Sequence, residues 1–294
     1  MPPGAAQLVG IGDDAAVLRA PDGPVVATMD MLVEDRHFRR DWSTPFDIGC
    51  KAAAQNLADV AAMGGRPTAL LVGFATPGDL PVTWAQELVR GLAAECSRAG
   101  AFVAGGDVSS ADKITLAITA LGELAGREPV TRAGARPGDQ LALAGRLGHS
   151  AAGLALLEAG LTEPAALVAS HRRPQPRYAA GPEAAALGAT AMIDISDGLL
   201  ADLGHVAQAS GVRINVETER LADSRLLAAV AVLSGADWLR WALTGGEDHA
   251  FAATFPAGTQ LPTHWPVIGR VGAGHGVQVN GKPYPGQAGW DHFA

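Results

Sequence analysis

Along this chain apolar positions recur at the three- and four-residue spacing of an amphipathic helix over residues 45–63, 83–99, 150–158, 198–210 and 223–234. Between them lie short apolar runs at 25–29, 69–74, 101–104, 115–121, 140–144, 191–195, 212–216 and 250–254, which read as strands. Helices and strands mix throughout, which predicts an α/β (α+β) fold. Some ends are visible. Thr44 caps the first helix, with Pro45 at its first position and Asp47 in its first turn, and Gly64-Gly65 terminates it. Ser196 or Asp197 is the expected cap of the helix that begins at Gly198.

Glycine (37) and proline (19) are spread as punctuation rather than gathered into a linker. One stretch, residues 125–139, concentrates Gly126, Pro129, Gly134, Pro137 and Gly138. It predicts two domains, residues 1–125 and 126–294, both mixed α and β.

Composition narrows the function. Of 294 residues 48% are hydrophobic and 18% charged, which supplies a core and argues against disorder. The net charge of −8 leaves no basic footprint for nucleic acid or an anionic membrane. Two cysteines, Cys50 and Cys96, cannot build a cysteine zinc site or a disulfide scaffold. The first residues lack a basic segment and an apolar run, so no signal peptide is expected. The most apolar central stretch, 69–75, is too short to span a bilayer. A cytoplasmic protein is the expectation.

Aspartates carry the chemistry. They recur beside glycine or small residues, mostly after apolar runs: Asp13-Asp14, Asp30, Asp59, Asp107, Asp194 with Asp197, and Glu247-Asp248. Each alone is ordinary turn or cap chemistry. Together, many carboxylates converging on one place repel one another unless a cation binds. Hard oxygen donors of this kind select Mg²⁺, Mn²⁺ or Ca²⁺, and magnesium bridges substrate phosphates. An acidic protein can hold a polyphosphate in this way. The absences agree: there is no P-loop, no protein-kinase motif set, no nucleophile elbow and no H-E-x-x-H. Gly10-Ile11-Gly12-Asp13-Asp14-Ala15 fits G-x-G-x-x-A on paper, but its aspartates would face a pyrophosphate, so a dinucleotide site is rejected.

Collinear segments run along nearly the whole chain: 10–17, 29–38, 51–64, 104–107, 131–139, 193–199, 243–249 and 289–293. With them the chain resembles the thiamine-monophosphate kinase family, in the superfamily of aminoimidazole ribonucleotide synthetase and selenophosphate synthetase. The resemblance implies a two-domain fold of that superfamily. The N-terminal domain would bind ATP and Mg²⁺ and pair its sheet in a homodimer, and the C-terminal domain would close over nucleotide and substrate. It implies transfer of the ATP γ-phosphoryl group to thiamine monophosphate, with several Mg²⁺ ions. By motif position the metal residues would be Asp14, Thr28, Met29 through its carbonyl, Asp30, Asp59, Asp107, Asp194 and Asp197. Gly106, Asp107, Arg132 and Ser196 would line the nucleotide, and His37, Glu247 and Trp290 would meet thiamine monophosphate. Asp30, Asp107, Arg132 and Asp197 would carry the transfer, and Asp13 and Asp248 are alternative ligands or supports.

Plainer roles stand beside these. Arg132 could stabilise the connecting segment, His37 could join Asp35 and Arg36 in a surface pair, and Trp290 could plug a core edge. Two rival functions also stay open: another ATP-using member of the superfamily, such as a ribonucleotide cyclo-ligase or selenophosphate synthetase, and a non-catalytic Mg-nucleotide-binding protein.

Overall fold

The Thr44 signal is realised as a capping box: Asp47 N–H donates to Thr44 Oγ1 at 3.2 Å, and Thr44 N–H to Asp47 Oδ2 at 3.1 Å. It starts helix α1 (Pro45–Ala62), which ends at Met63 with Gly64 at φ 75°. The protein is seen here as a computed structural model that describes residues 7–9, 16–20, 23–221, 225–234 and 237–290. The chain divides into two units, one of Met1–Pro129 with Arg172–Pro174, the other of Val130–His171 with Gln175–Ala294.

The first unit contains β1 (Gln7–Val9), β2 (Ala16–Ala20), β3 (Gly23–Val33), α1, β4 (Arg66–Thr76), α2 (Val82–Ala99), β5 (Phe102–Ser110) and β6 (Thr115–Glu123). Its strands form a six-stranded sheet in the order β1-β2-β3-β6-β4-β5. The pairs are antiparallel except β4 with β5, which are parallel and joined through α2. Val26, Leu32, Leu70, Leu116 and Ile118 on one face of the sheet are buried with Leu57 and Val60 of α1. Helices α1 and α2 cross at glycine: a Cβ on Gly49 would come within 2.1 Å of the Leu88 carbonyl, and one on Gly91 within 2.1 Å of the Phe46 carbonyl.

The second unit contains β7 (Gln140–Ala144), α3 (His149–Glu158), α4 (Ala165–Arg172), α5 (Ala180–Ala186), β8 (Ala191–Asp194), α6 (Leu199–Ser210) and β9 (Arg213–Val216). There follow α7 (Arg225–Ser234), α8 (Trp238–Thr244), β10 (Phe251–Phe255), β11 (Val267–Gly272), β12 (Gly276–Val279) and β13 (Lys282–Pro283). Seven strands pair in the order β13-β12-β9-β11-β7-β10-β8. β8 and β10 are buried along their whole length, which explains their unbroken apolar runs. Ile193, Leu199, Leu203, Ile214, Leu243, Ala252 and Ile268 belong to one core.

Two expectations are corrected. The strand expected at 101–104 runs on to Ser110, because pairing with β4 carries Gly105, Gly106 and the polar residues after them. Neither Ser196 nor Asp197 caps the next helix. Its N-cap is Gly198, which makes no side-chain bond, and Asp202 inside the helix reaches back instead. Residues 222–224, at the expected start of α7, lie outside the described residues.

Candidate active site

In the first unit a cluster forms where β3 meets α1. Alternation along β3 turns Thr28 and Asp30 toward α1 and leaves Met29 and Met31 on the other face, 57% and 46% exposed. Thr28 Oγ1 donates to Asp59 Oδ2 at 2.8 Å. Gln55 and Asp59 lie one helical turn apart on α1, and Gln55 Nε2 donates to Asp30 Oδ2 at 3.2 Å. The Asp30 N–H donates to Asn56 Oδ1 at 2.9 Å, and Asn56 is itself fixed through its amide to Ala52 O. Asp59 sits in the last turn of α1, where a negative charge opposes the helix dipole. The Thr28 hydroxyl offsets part of that cost.

His37 follows β3. Its Nδ1 accepts from Val33 N–H at 3.0 Å, and Lys51 Nζ donates to its carbonyl at 2.9 Å. Asp35 pairs with Lys113 at 2.9 Å.

Asp107 stands elsewhere. Register runs Asp30↔Ile118↔Val72↔Gly106 across the sheet, and one step along, Met31↔Ala117↔Gly73↔Asp107. Asp107 therefore shares the face of Met31, opposite Asp30. It is exposed on the edge strand β5, with Ser109 Oγ donating to its Oδ2 at 3.3 Å. Of the first unit's candidates, Thr28, Asp30 and Asp59 come together and Asp107 does not join them. Asp13 and Asp14 lie outside the described residues.

In the second unit three distant segments meet. The turn after β8 carries Ser196 and Asp197, the turn after α8 carries Glu247, and the tail carries Trp290. The Glu247 N–H donates to Ser196 O at 2.7 Å and the Trp290 N–H to Asp197 O at 2.9 Å. Such an approach requires glycine: a Cβ on Gly246 would lie 2.5 Å from Ser196 O, and one on Gly289 2.5 Å from Asp197 O. Glu247 has φ 63°. The Trp290 side chain is 58% exposed and plugs no core.

Asp202, buried in α6, accepts at one oxygen from both Asp197 N–H (3.1 Å) and Gly198 N–H (3.0 Å). Burial, then the charges of Asp194 and Asp197, push its carboxyl well above the usual range, against the pull of those two N–H groups. Asp194 is buried at the end of β8, with Oδ2 2.9 Å from His249 Nδ1. Asp248 closes the N-terminus of α3 by accepting from Gly148 N–H at 2.5 Å and Ser150 N–H at 2.9 Å. Burial raises its carboxyl to about 7. Arg132 is half-buried, and its carbonyl accepts from Ser210 Oγ at 2.8 Å. His205 on α6 senses both Arg132 and Asp197: partial burial and the Arg132 charge lower its pKa, and Asp197 opposes them.

Spacing alone missed Gln55, Asn56 and Asp202. Only Asp202 had a usable signal, a carboxylate in the first turn of the helix after Gly198.

The donor set fits magnesium. Thr28, Asp30 and Asp59 offer hydroxyl and carboxylate oxygens, whereas both cysteines are buried in the helices α1 and α2. Among the described residues no three His, Cys, Asp or Glu side chains are grouped to hold a metal by themselves. An ion here would complete its shell with water and phosphate oxygens, as Mg²⁺ does.

The AIR synthase related protein family matches this chain twice, its N-terminal domain over residues 12–124 and its C-terminal domain over 136–282. Fold and loops thus define a two-domain AIR synthase-like architecture. The thiamine-monophosphate kinase of Mycobacterium tuberculosis is 51% identical over 288 residues, covering 97% of this chain and 86% of that protein. That of Aquifex aeolicus is 38% identical over 288 residues, covering 96% and 92%. Among solved structures, AaThiL complexed with AMPPCP and TMP matches with a TM-score of 0.90 at 37% identity, covering 96% of this chain and 92% of that one. The chain belongs to the thiamine-monophosphate kinase family.

Proposed function

We propose that this chain transfers the γ-phosphoryl group of ATP to thiamine monophosphate, giving thiamine diphosphate and ADP, the last step in making that diphosphate. The observation that carries the reading is the meeting of Ser196, Asp197, Glu247 and Trp290 through backbone hydrogen bonds of 2.7 and 2.9 Å. By the family resemblance we assign Ser196 to the nucleotide, Asp197 to metal, and Glu247 and Trp290 to the substrate. The identity across nearly the whole chain supports the same reaction.

The acceptor is a phosphate monoester whose second pKa lies near about 6, so its oxygen is already anionic at neutral pH. No strong general base is needed. The new bond joins that oxygen to the γ-phosphorus while the bond to the ADP oxygen breaks, and no phosphoenzyme is required. The residues hold two polyanions in line. Arg132 offsets charge on the transferred group, and Ser196 and Gly106 line the nucleotide. Glu247 faces the thiamine cation, the Trp290 ring stacks on it, and His37 meets the same substrate.

The residues proposed for Mg²⁺ are Asp14, Thr28, Asp30, Asp59, Asp107, Asp194 and Asp197, with Met29 contributing only its carbonyl, in keeping with its outward side chain. Bound there, the ions supply charge neutralisation between donor and acceptor phosphates. Asp30, Asp107, Arg132 and Asp197 are the residues on which turnover depends most.

A homodimer is part of the proposal. Met29, Met31 and Leu71 stand 57%, 46% and 44% exposed on the face of the first unit's sheet away from α1, and Phe102 and Val108 on its edge strand 62% and 69%. A second copy would cover them. A cytoplasmic location is likewise proposed. Among the described residues no helix is long and apolar enough to cross a membrane.

The test is incubation with Mg-ATP and thiamine monophosphate, with thiamine phosphates separated and read by fluorescence after oxidation to thiochromes. Thiamine diphosphate that forms with magnesium and disappears with EDTA supports the reading. ATP binding without product overturns it.

A further inference from the structure

We infer that His171 is a positioning residue that orients the carboxylate of Glu247, and through it sets the affinity for the cationic acceptor. The inference rests on the kinase reading and on Glu247 as a substrate residue. His171 lies near the end of α4 and is 6% exposed. Its Nδ1 stands 3.3 Å from Glu247 Oε2 and 3.2 Å from Ser150 Oγ. Glu247 is fixed at the backbone by its N–H bond to Ser196 O and by φ 63°. Its side chain is about one-third exposed. What remains adjustable is the direction of the carboxylate, and the imidazole is a buried polar group beside it.

The imidazole has little room to withdraw. A Cβ on Gly153 of α3 would come within 3.0 Å of His171 Cβ and 2.1 Å of Leu167 O, so α3 and α4 approach closely at this ring. Ser150, on its Nδ1 side, is held through its N–H by Asp248, the residue after Glu247. Glu247, Asp248, Ser150 and His171 thus form a closed chain of contacts linking the turn after α8 to two helices. With the proton on Nδ1, the ring donates toward the Glu247 carboxylate and holds one oxygen inward, leaving the other to face substrate. A buried imidazole that served packing alone would not need to point at a partly exposed carboxylate.

The experiment compares steady-state kinetics of His171→Leu, His171→Asn and His171→Gln with the unaltered protein and Glu247→Gln. Removing a hydrogen bond to a charged group should raise KM for thiamine monophosphate roughly tenfold in His171→Leu, with kcat and KM for ATP within about twofold. His171→Asn, whose amide nitrogen occupies the place of Nδ1, should recover most of the affinity. His171→Gln, whose amide nitrogen stands where Nε2 does, should behave like His171→Leu. Should His171→Leu not fold, the Asn and Gln pair carries the same contrast. A purely structural role would lower the thermal midpoint without separating the two substrates. If Glu247→Gln raises KM for thiamine monophosphate and the His171→Leu and His171→Gln variants do not, the inference falls and the kinase reading stands. If Glu247→Gln leaves that KM unchanged, the assignment of Glu247 falls and this inference with it. If the unaltered protein makes no thiamine diphosphate, the kinase reading itself is overturned.

Discussion

The Trp290 N–H donates to the carbonyl oxygen of Asp197 at 2.9 Å, while the Asp197 N–H is held by Asp202 at 3.1 Å. The peptide that carries a proposed metal ligand is therefore gripped at both ends, and one grip comes from the proposed substrate residue. Gly289 makes the close approach possible, since a Cβ there would meet Asp197 O at 2.5 Å and the Ala201 Cβ at 2.7 Å. Gly289→Ala should push the tail away, raising KM for thiamine monophosphate about tenfold, equivalent to roughly 1.4 kcal/mol. Trp290→Ala should raise KM similarly through lost stacking and leave the backbone bond in place. Kinetics that match the parent for both variants would remove the tail from the site.

Asp202 should matter to stability more than its lack of an assigned role suggests. Asp202→Ala leaves two N–H groups without their acceptor, at a cost of about 1–3 kcal/mol for each that stays buried. Asp202→Asn keeps an accepting oxygen and should cost much less. The carboxyl is raised in the fold, so the native protein keeps a proton that the unfolded chain releases near about pH 4. Stability should therefore fall as pH climbs from there toward the folded value, and Asp202→Asn should flatten that slope. Denaturant unfolding at a series of pH values reads both effects. A slope unchanged in the Asn variant would place the proton on another group.

The thiols should be silent in the folded protein. Burial, then the Glu95 charge, pushes Cys50 to about 11 and Cys96 to about 11. The Cys50 thiol also donates to Gly91 O at 3.4 Å. Only about one thiol in a thousand is ionised at pH 8 with such a value, and the thiolate is the reactive form. An aromatic disulfide reagent should find almost no thiol in native protein at pH 8 and both cysteines in denaturant. Rapid labelling of one thiol in native protein would mean that α1 and α2 separate readily.

What the sequence made legible, and what it hid, follows from range. Helix α1 could be read almost residue by residue, since Thr44, Pro45, Asp47 and Gly64 act on their neighbours. β8 and β10 were legible as apolar runs because both are buried along their length. α5, α8 and β13 are too short for periodicity to register. In the site, the aspartates stood out by type, but their grouping did not. That Thr28 bonds Asp59, and that Trp290 reaches Asp197, depends on topology. That Asp30 and Asp107 occupy opposite faces depends on register, where one residue of slip would reverse the result. Asp202 was missed because a cap supplied from inside the helix competes with the expected cap at Ser196 or Asp197.

The opposite placement of Asp30 and Asp107 makes their substitutions informative as a pair. Asp30 is bonded to Gln55 and Asn56 of α1, so Asp30→Asn keeps shape and neighbours and removes mainly charge. Asp107 is exposed and its carboxylate accepts from Ser109, so Asp107→Asn should leave folding unchanged. If both bind magnesium in the working enzyme, each variant should lose roughly a hundredfold in turnover at ordinary magnesium. Part of that loss should return as magnesium is raised, with thermal midpoints close to the parent. A magnesium titration of initial rates measures this directly. A large loss in Asp30→Asn with parental rates in Asp107→Asn would confine the ions to the α1 side of the sheet and remove Asp107 from the machinery. Parental rates in both would end the metal assignment for the first unit.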